Sequence, residues 1–539
     1  NNQWNNHWVF NYTLNYLNEK EYYKGYKNDV FAQFKNEKIR AFTKLSYLNT
    51  SEQDSLKSDF IRHTTEVTRK IKNVSIGIGF QGETNKIKDK TISEYSQSSF
   101  DWREIYTTLG VYDSTRTNAR LKLYVRSDDS VKIGKLKNFT DSYGAVFNTQ
   151  LIKSEKHNLS LEAHYRKVHY NKEVYENQQD EDYALGAVRW NKLFLNNGLV
   201  INALYELSSG QEAQREFKYV KVTDGLGIYK WTDYNGNGIE ELDEFEVAEF
   251  SDQAKYIRVY TDNIQYQKSN RNRLNFSIQV LPSRFMKSKW WDRVNFQSSF
   301  QSFSTYLKNN KTAEFNPFST ENLLTQTRSL TTSLTFNRLS SHKWTGVFQF
   351  LKNDNTQYVY TGKETRNTTN YQVQLNYKPW ASWVFGLQNN FITDKSNSQI
   401  FSTKQFTIET LGVNPSITYE IRKNISASAF FKYQNKKNKL GEEKLEWKQA
   451  GMEVRWNDEK KTSLNGTFSY IQNDLTGNSY SMVANQMMEG LLDGKNMVWK
   501  IYMQRELSSV FTLNIIYDGR KNENSQTIHT GSVQLRASF

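Results

Sequence analysis

Over most of the chain, apolar and polar side chains alternate with a period of two. Trp8, Phe10, Tyr12, Leu14 and Tyr16 interleave with Val9, Asn11, Thr13 and Asn15, and the same rhythm runs through 199–207, 274–280, 464–470 and 511–517. Successive strand side chains point to opposite faces, so each segment predicts a strand with one apolar and one mostly polar face. The alternating runs last roughly 10–14 residues, against about 5–6 for soluble strands. Aromatic residues such as Trp344, Phe348, Trp380, Trp383, Trp499 and Tyr517 recur near the expected strand ends, as membrane-interface girdles require.

Connections alternate in length. Short ones fall near Asn36, Lys72, Glu155, Asn196, Ser340, Trp380, Lys423, Asp458 and Ser508. Long ones are expected at 49–58, 85–98, 128–140, 170–179, 305–326, 354–366, 393–405, 435–443 and 475–494. This pattern predicts an all-β, transmembrane, antiparallel outer-membrane β-barrel of about 24 strands (roughly 22–26), with short periplasmic turns and long extracellular loops. Residues 1–208 give the first half of the barrel, about 11 strands. Residues 209–271 form a long extracellular insert, and 272–539 supply the second half. The segment 481–492, rich in Met482, Met487, Met488, Leu491 and Leu492, does not alternate, and predicts a short helix or an inward-folded piece of an external loop.

Composition sharpens this picture. A mean hydropathy of −0.78 would suit disorder, but 33 Tyr, 32 Phe and 13 Trp argue against it. A barrel reconciles the two, because polar lumen-facing residues dilute its apolar outer face. No apolar run is long enough for a helical span. The absence of cysteine rules out thiolate metal sites, thiol catalysis and disulfides. The net charge of +14 is spread among 57 acidic residues without a basic stripe, so it argues for anionic lipid head groups or a charged lumen and against nucleic acid. Glu206, Arg273, Lys432, Lys500 and Arg536 are the expected lumen-facing charges, either tuning passage or pairing along the wall. The chain starts at Asn1, which points to a processed form or part of a longer protein with an export signal upstream.

Enzymatic motifs are missing. No G-x-S-x-G, Walker A or H-E-x-x-H pattern occurs, and His164 and His169, five residues apart on one strand, face opposite sides. The chain is expected not to be an enzyme.

One segment has metal-binding chemistry. Residues 233–244 read D-Y-N-G-N-G-I-E-E-L-D-E. Oxygen side chains at the first, third and fifth positions, glycine at the sixth and an acid at the twelfth are what a wrapped Ca2+ loop requires. Asp233, Asn235, Asn237, the Ile239 carbonyl, Glu241 and Glu244 are the candidate ligands. Glu240 stands where a helix–loop–helix calcium hand has an aliphatic residue, and the flanks do not pattern as paired helices. The alternative is a plain Asn/Gly turn in a solvated loop.

The stretch from Tyr229 through Asp233 to Gly238, with 241–246 and 252–260, resembles large outer-membrane barrels of Bacteroidota. The tail 518–521 and 528–536 with terminal Phe539 resembles the same group, with a looser kinship in style to the translocon barrel of the type IX secretion system. Val533, Leu535, Ala537 and Phe539 also resemble the terminal-strand signal read by the barrel assembly machinery, which implies that the C-terminus is complete and periplasmic. The expected function is transport or export across the outer membrane, with the 209–271 loop as lid or docking site over a wide lumen, or a subunit role in an outer-membrane complex. The alternatives are a scaffold barrel with a permanently plugged lumen, or the barrel part of a nutrient receptor whose plug lies outside this chain. Expected partners are outer-membrane lipid and lipopolysaccharide, the assembly machinery, and protein partners or the protein's own N-terminal region filling the lumen.

Overall fold

The computed structural model describes residues 2–4, 7–19, 23–52, 56–89, 94–112, 118–174, 180–308, 314–337, 343–359, 362–458, 462–508 and 510–537. Phe539, His342 and the connection at Ser340 lie outside the described residues. Among the described residues, twenty-seven strands form one antiparallel sheet. Three of them (Asn2–Trp4, Tyr229–Trp231 and Phe245–Val247) are three residues long, and the other 24 run from 10 to 25 residues. The expected strand number and the all-β barrel class hold.

Each long strand pairs with its sequence neighbour, so the wall is a single up-and-down meander. The exposed face is apolar: Val74, Ile76, Ile78 and Phe80 project outward, while Gln81 on the opposite face meets Glu104 at 2.9 Å. Water would not tolerate a continuous apolar face of this extent, and hydrocarbon does. The opposite face carries ion pairs. Arg189 bridges Glu162 (3.2 Å) and Glu206 (3.4 Å), Arg273 reaches Glu206 (3.8 Å), and Lys500 reaches Asp518 (3.6 Å). Glu206, Arg273 and Lys500 therefore belong to a salt-bridged lining. His164 turns to Glu162 on that polar face and His169 to Asp180 on the other.

The turns explain themselves locally. The Asn36 side chain accepts from the N–H groups of Lys38 (2.9 Å) and Ile39 (2.6 Å), closing the hairpin of Tyr23–Lys35 and Ile39–Glu52. At the tip of the Asn118–Lys132 and Lys135–Lys153 hairpin, Ile133 and Gly134 have φ of 51° and 67°, the two positive values of a type I′ turn. Here the structure differs from the sequence expectation of a long loop at 128–140. The ladder continues past the apolar zone, because beyond the lipid-facing band the strand no longer needs an alternating pattern. The same holds at 209–221 and 256–271, where Leu199–Lys221 pairs with Tyr256–Val280 out to Lys221 opposite Tyr256. The insert proper is thus 222–255. Trp499 and Tyr517 stand mid-strand for the same reason.

Candidate functional site: a cap seated across the barrel mouth

The Leu199–Lys221 and Tyr256–Val280 strands are the eleventh and twelfth of the 24 long strands. The insert they carry is a small folded unit. Its short strands pair Tyr229 with Val247 and Trp231 with Phe245, and Tyr219 stacks on Phe245 at 4.0 Å with Tyr256 edge-on at 5.1 Å.

From there the insert reaches the polar face of the far wall. The Thr403 hydroxyl donates to Asp243 (2.9 Å) and Lys404 Nζ to the Leu242 carbonyl (3.3 Å). Asp252 pairs with Arg520 at 2.7 Å, the Arg520 guanidinium lies 4.1 Å over the Phe250 ring, and the Ser251 hydroxyl donates to Thr530 at 3.2 Å. Arg520 and Thr530 belong to the last two long strands, diametrically across a 24-strand ring from the insert's own hairpin. These bonds show that the sheet curls with its polar face concave and that the insert spans the mouth.

The cap has an apolar seat. Phe406, Ile408, Leu445, Trp447 and Ile471 on the wall bury against Val483, Ala484, Met487, Met488 and Leu491, with Phe250 of the insert packed on the cluster. The segment 481–492 is therefore an inward-folded loop bearing the six-residue helix Met482–Met487, whose first turn is closed by the Ser481 side chain accepting from the Ala484 N–H at 3.1 Å. Glu246 joins the two parts of the plug. It pairs with Lys230 (3.3 Å) and accepts from the Tyr234 hydroxyl (3.0 Å) and from Asn485 Nδ2 (2.7 Å). The helix loop is tied to the wall by Lys436, 2.8 Å from Glu489, and by Lys432 at 4.0 Å.

These carboxylates make the seat sensitive to pH. Burial pushes the Glu246 carboxyl above its ordinary value, against the pull of Lys230, Tyr234 and Asn485. Burial also raises Glu489, but Lys436 and Lys432 together bring it below. A carboxylate raised by seating stabilises the seated form below its free value, and that contribution fades as pH rises through the raised value. A lowered carboxylate contributes above its free value, and its contribution fades as pH falls through the lowered one. Seating is expected to be tightest near pH 4.5, the ordinary glutamate value, and to loosen on both sides. Protease cleavage of the insert against pH measures this; Glu246→Gln should flatten the alkaline limb and Glu489→Gln the acid limb.

The six candidate metal ligands lie on the insert. Asp233 accepts from the N–H groups of Gly236 (2.7 Å), Asn237 (3.1 Å) and Gly238 (2.9 Å), and Asn237 Oδ1 from that of Ile239 (2.7 Å). Gly236 and Gly238 have φ of 73° and 72°, a conformation that suits glycine. Asn235 Nδ2 donates to Glu241 at 2.5 Å. Glu244, 3% exposed, accepts from Trp231 Nε1 (2.8 Å) and the Tyr234 N–H (3.0 Å). The turn brings Asp233, Asn235, Asn237 and Ile239 together and holds Glu241 through Asn235, whereas Glu244 is held by Trp231 and the Tyr234 N–H. Among the described residues no three His, Asp or Glu side chains gather as a metal cluster. The donor chemistry still fits, since Asp233 Oδ2, Asn237 Oδ1 and both Glu244 carboxylate oxygens accept one bond each and retain a second lone pair.

Sequence reasoning missed the seat itself: Glu246, Asp252, Lys404, Asn485 and Arg520. A signal for its wall was present. On Phe406–Arg422 the apolar positions run 406 and 408, then shift phase to 411, 413 and 417. The change marks where the strand stops facing lipid and starts packing inward.

No family model matches the sequence, and neither does any curated protein. Among solved structures, the chain is similar to the FrpB iron transporter from Neisseria meningitidis at 8% identity, covering 95% of this chain and 78% of that one, with a TM-score of 0.31. The copper transporter OprC gives 8% identity, 94% and 74% coverage and a TM-score of 0.32. The ferric-catecholate import receptor Fiu from E. coli K12 gives 6%, 92%, 74% and 0.30. Likeness at that level leaves the architecture and role of this chain to be read from its own geometry.

Proposed function

We propose that the protein is a bacterial outer-membrane conduit, acting in transport or export or as a subunit of an outer-membrane complex, whose extracellular mouth is closed by its own 222–255 insert. The observation that carries this is the insert bridging opposite walls over a barrel too wide for its wall side chains to fill. The short turns then lie in the periplasm and the cap outside. The buried cluster and the ion pairs of the seat also support a second reading, a scaffold barrel that stays plugged. Planar-bilayer recordings of the intact protein separate the two. A conduit opens in large steps under voltage or at alkaline pH; a scaffold stays silent even after its cap is cut away.

We further propose that 233–244 holds one Ca2+ through Asp233, Asn235, Asn237, the Ile239 carbonyl, Glu241 and Glu244. The ion would brace the turn facing Tyr480 and Thr403. An affinity of roughly 10⁻⁴–10⁻³ M suits an extracellular module of this kind. EGTA should raise protease cleavage of the insert in the native protein and leave an Asp233→Ala/Glu244→Ala variant unaffected. Equal cleavage of the native protein with and without chelator, with no bound metal by mass spectrometry, rejects the site.

A further inference from the structure

The outer wall has a gap in its apolar face. On Tyr256–Val280 the lipid-side positions are Val280, Ile278, Phe276 and Leu274, and then Asn272. Across the ladder Phe276 faces Phe300, Leu274 faces Ser302 and Asn272 faces Ser304, so three polar side chains continue the lipid-facing rows. A band about 25 Å tall takes about ten residues of tilted strand, and the run from Val280 to Leu274 covers only seven. Polar groups facing hydrocarbon at this height would be costly. Yet Asn272 and Ser302 are 1% exposed and Ser304 is 0% exposed.

They are covered by residues 314–320, which lie flat on this outer face. Asn272 Nδ2 donates to the carbonyls of Glu314 (3.4 Å) and Asn316 (3.3 Å), and the Tyr306 hydroxyl to those of Asn316 and Ser319 (3.4 Å each). Arg328 Nη2 donates to the Pro317 carbonyl at 3.1 Å, and the Tyr205 hydroxyl donates to that of Phe315. Phe318 stacks on Phe300 of the apolar band at 5.9 Å, with the Arg328 guanidinium 5.4 Å from its ring. On this strap Phe315 and Phe318 remain 69% and 54% exposed.

We propose that the strap 314–320 is a membrane-docking element that places Phe315 and Phe318 in the outer leaflet. It replaces a polar stretch of wall with an aromatic one, continuous with the lipid-facing band. The occupant is lipid because the strap's carbonyls are spent on the wall, while Phe315 and Phe318, the large side chains of an exposed side shared with Asn316 and Thr320, match the apolar band directly below it. The inference rests on the outer-membrane reading of the barrel.

The cysteine-free chain allows a direct test. Single nitroxide labels are placed at Phe315→Cys, Phe318→Cys and Thr320→Cys in the full-length protein in liposomes of outer-membrane lipids; the last leaves both rings intact. Phe276→Cys serves as the lipid reference and Leu226→Cys, on the cap, as the water reference. Collision rates with oxygen and with a water-soluble nickel chelate give immersion. Oxygen-to-nickel ratios at 315 and 318 several-fold above that of 226 and near that of 276, with 320 between, are expected. Ratios at 315, 318 and 320 equal to that of 226 overturn the proposal, as does shielding from both probes, which would mean a protein partner covers the strap. A water-like value at 276 as well would overturn the barrel reading instead.

Discussion

Replacing residues 222–255 with a two-residue Asn-Gly turn is expected to turn a closed barrel into a wide conducting pore. The ladder between Leu199–Lys221 and Tyr256–Val280 runs, with one irregularity between Arg215 and Phe217, up to Lys221 opposite Tyr256, so a type I′ turn can close the ribbon there, as Ile133 and Gly134 close another. The deletion removes the bonds of Asp252 to Arg520, Ser251 to Thr530 and Asp243 to Thr403 together, and takes no residue from the wall. Because a 24-strand ring is too wide for its own side chains to fill, single-channel conductance should rise at least about tenfold. Planar-bilayer recording measures it. A deletion variant that folds, migrates as a heat-modifiable barrel and yet conducts no better than the intact protein would show that the insert does not occlude the path.

Met487→Ala should unseat the helix loop while leaving the barrel intact. Met487 is 1% exposed and packs in a cluster with Leu445, Trp447 and Ile471. A six-residue helix has no stability of its own, so docking holds it. Removing most of a buried methionine costs about 2–5 kcal/mol. Hydrogen exchange of the 482–487 amides should therefore accelerate by about 30-fold or more. None of these contacts belongs to a ladder, so thermal unfolding of the barrel should not move. A parallel drop in barrel stability would mean that the seat braces the wall and does more than hold the cap.

Much of the wall was legible because the bilayer imposes one rule on every strand. Val74, Ile76, Ile78 and Phe80 must face lipid, so their alternation survives in the sequence and even the strand number can be counted. Legibility stops where that rule stops. At 128–140 and 256–271 the ladder has run past the apolar band, polar residues stand where alternation would otherwise be required, and a paired strand reads like a loop. The cap was visible as an interruption containing a calcium-type turn, a candidate lid or docking site, but with no sign of what it sits on. Its seat joins Asp252 to Arg520 and Glu246 to Asn485, pairs whose meeting depends on the curl of the whole sheet and on no local pattern. The phase shift from Phe406 and Ile408 to Leu411 and Val413 was written in the sequence, but it means something only once the inside of the barrel is known to be filled there.

The bonds that close the mouth span great lengths of chain: 268 residues separate Asp252 from Arg520 and 279 separate Ser251 from Thr530. Closure of such loops waits until both ends exist. A nascent barrel growing hairpin by hairpin has nothing for Asp252 to grip until the final pair of strands arrives. The last bonds of the seal thus form only on completion, and a copy truncated before its last hairpin would keep the grips of Thr403, Lys404 and Asn485 but be left ajar on the far side, a leak in the cell's outer barrier.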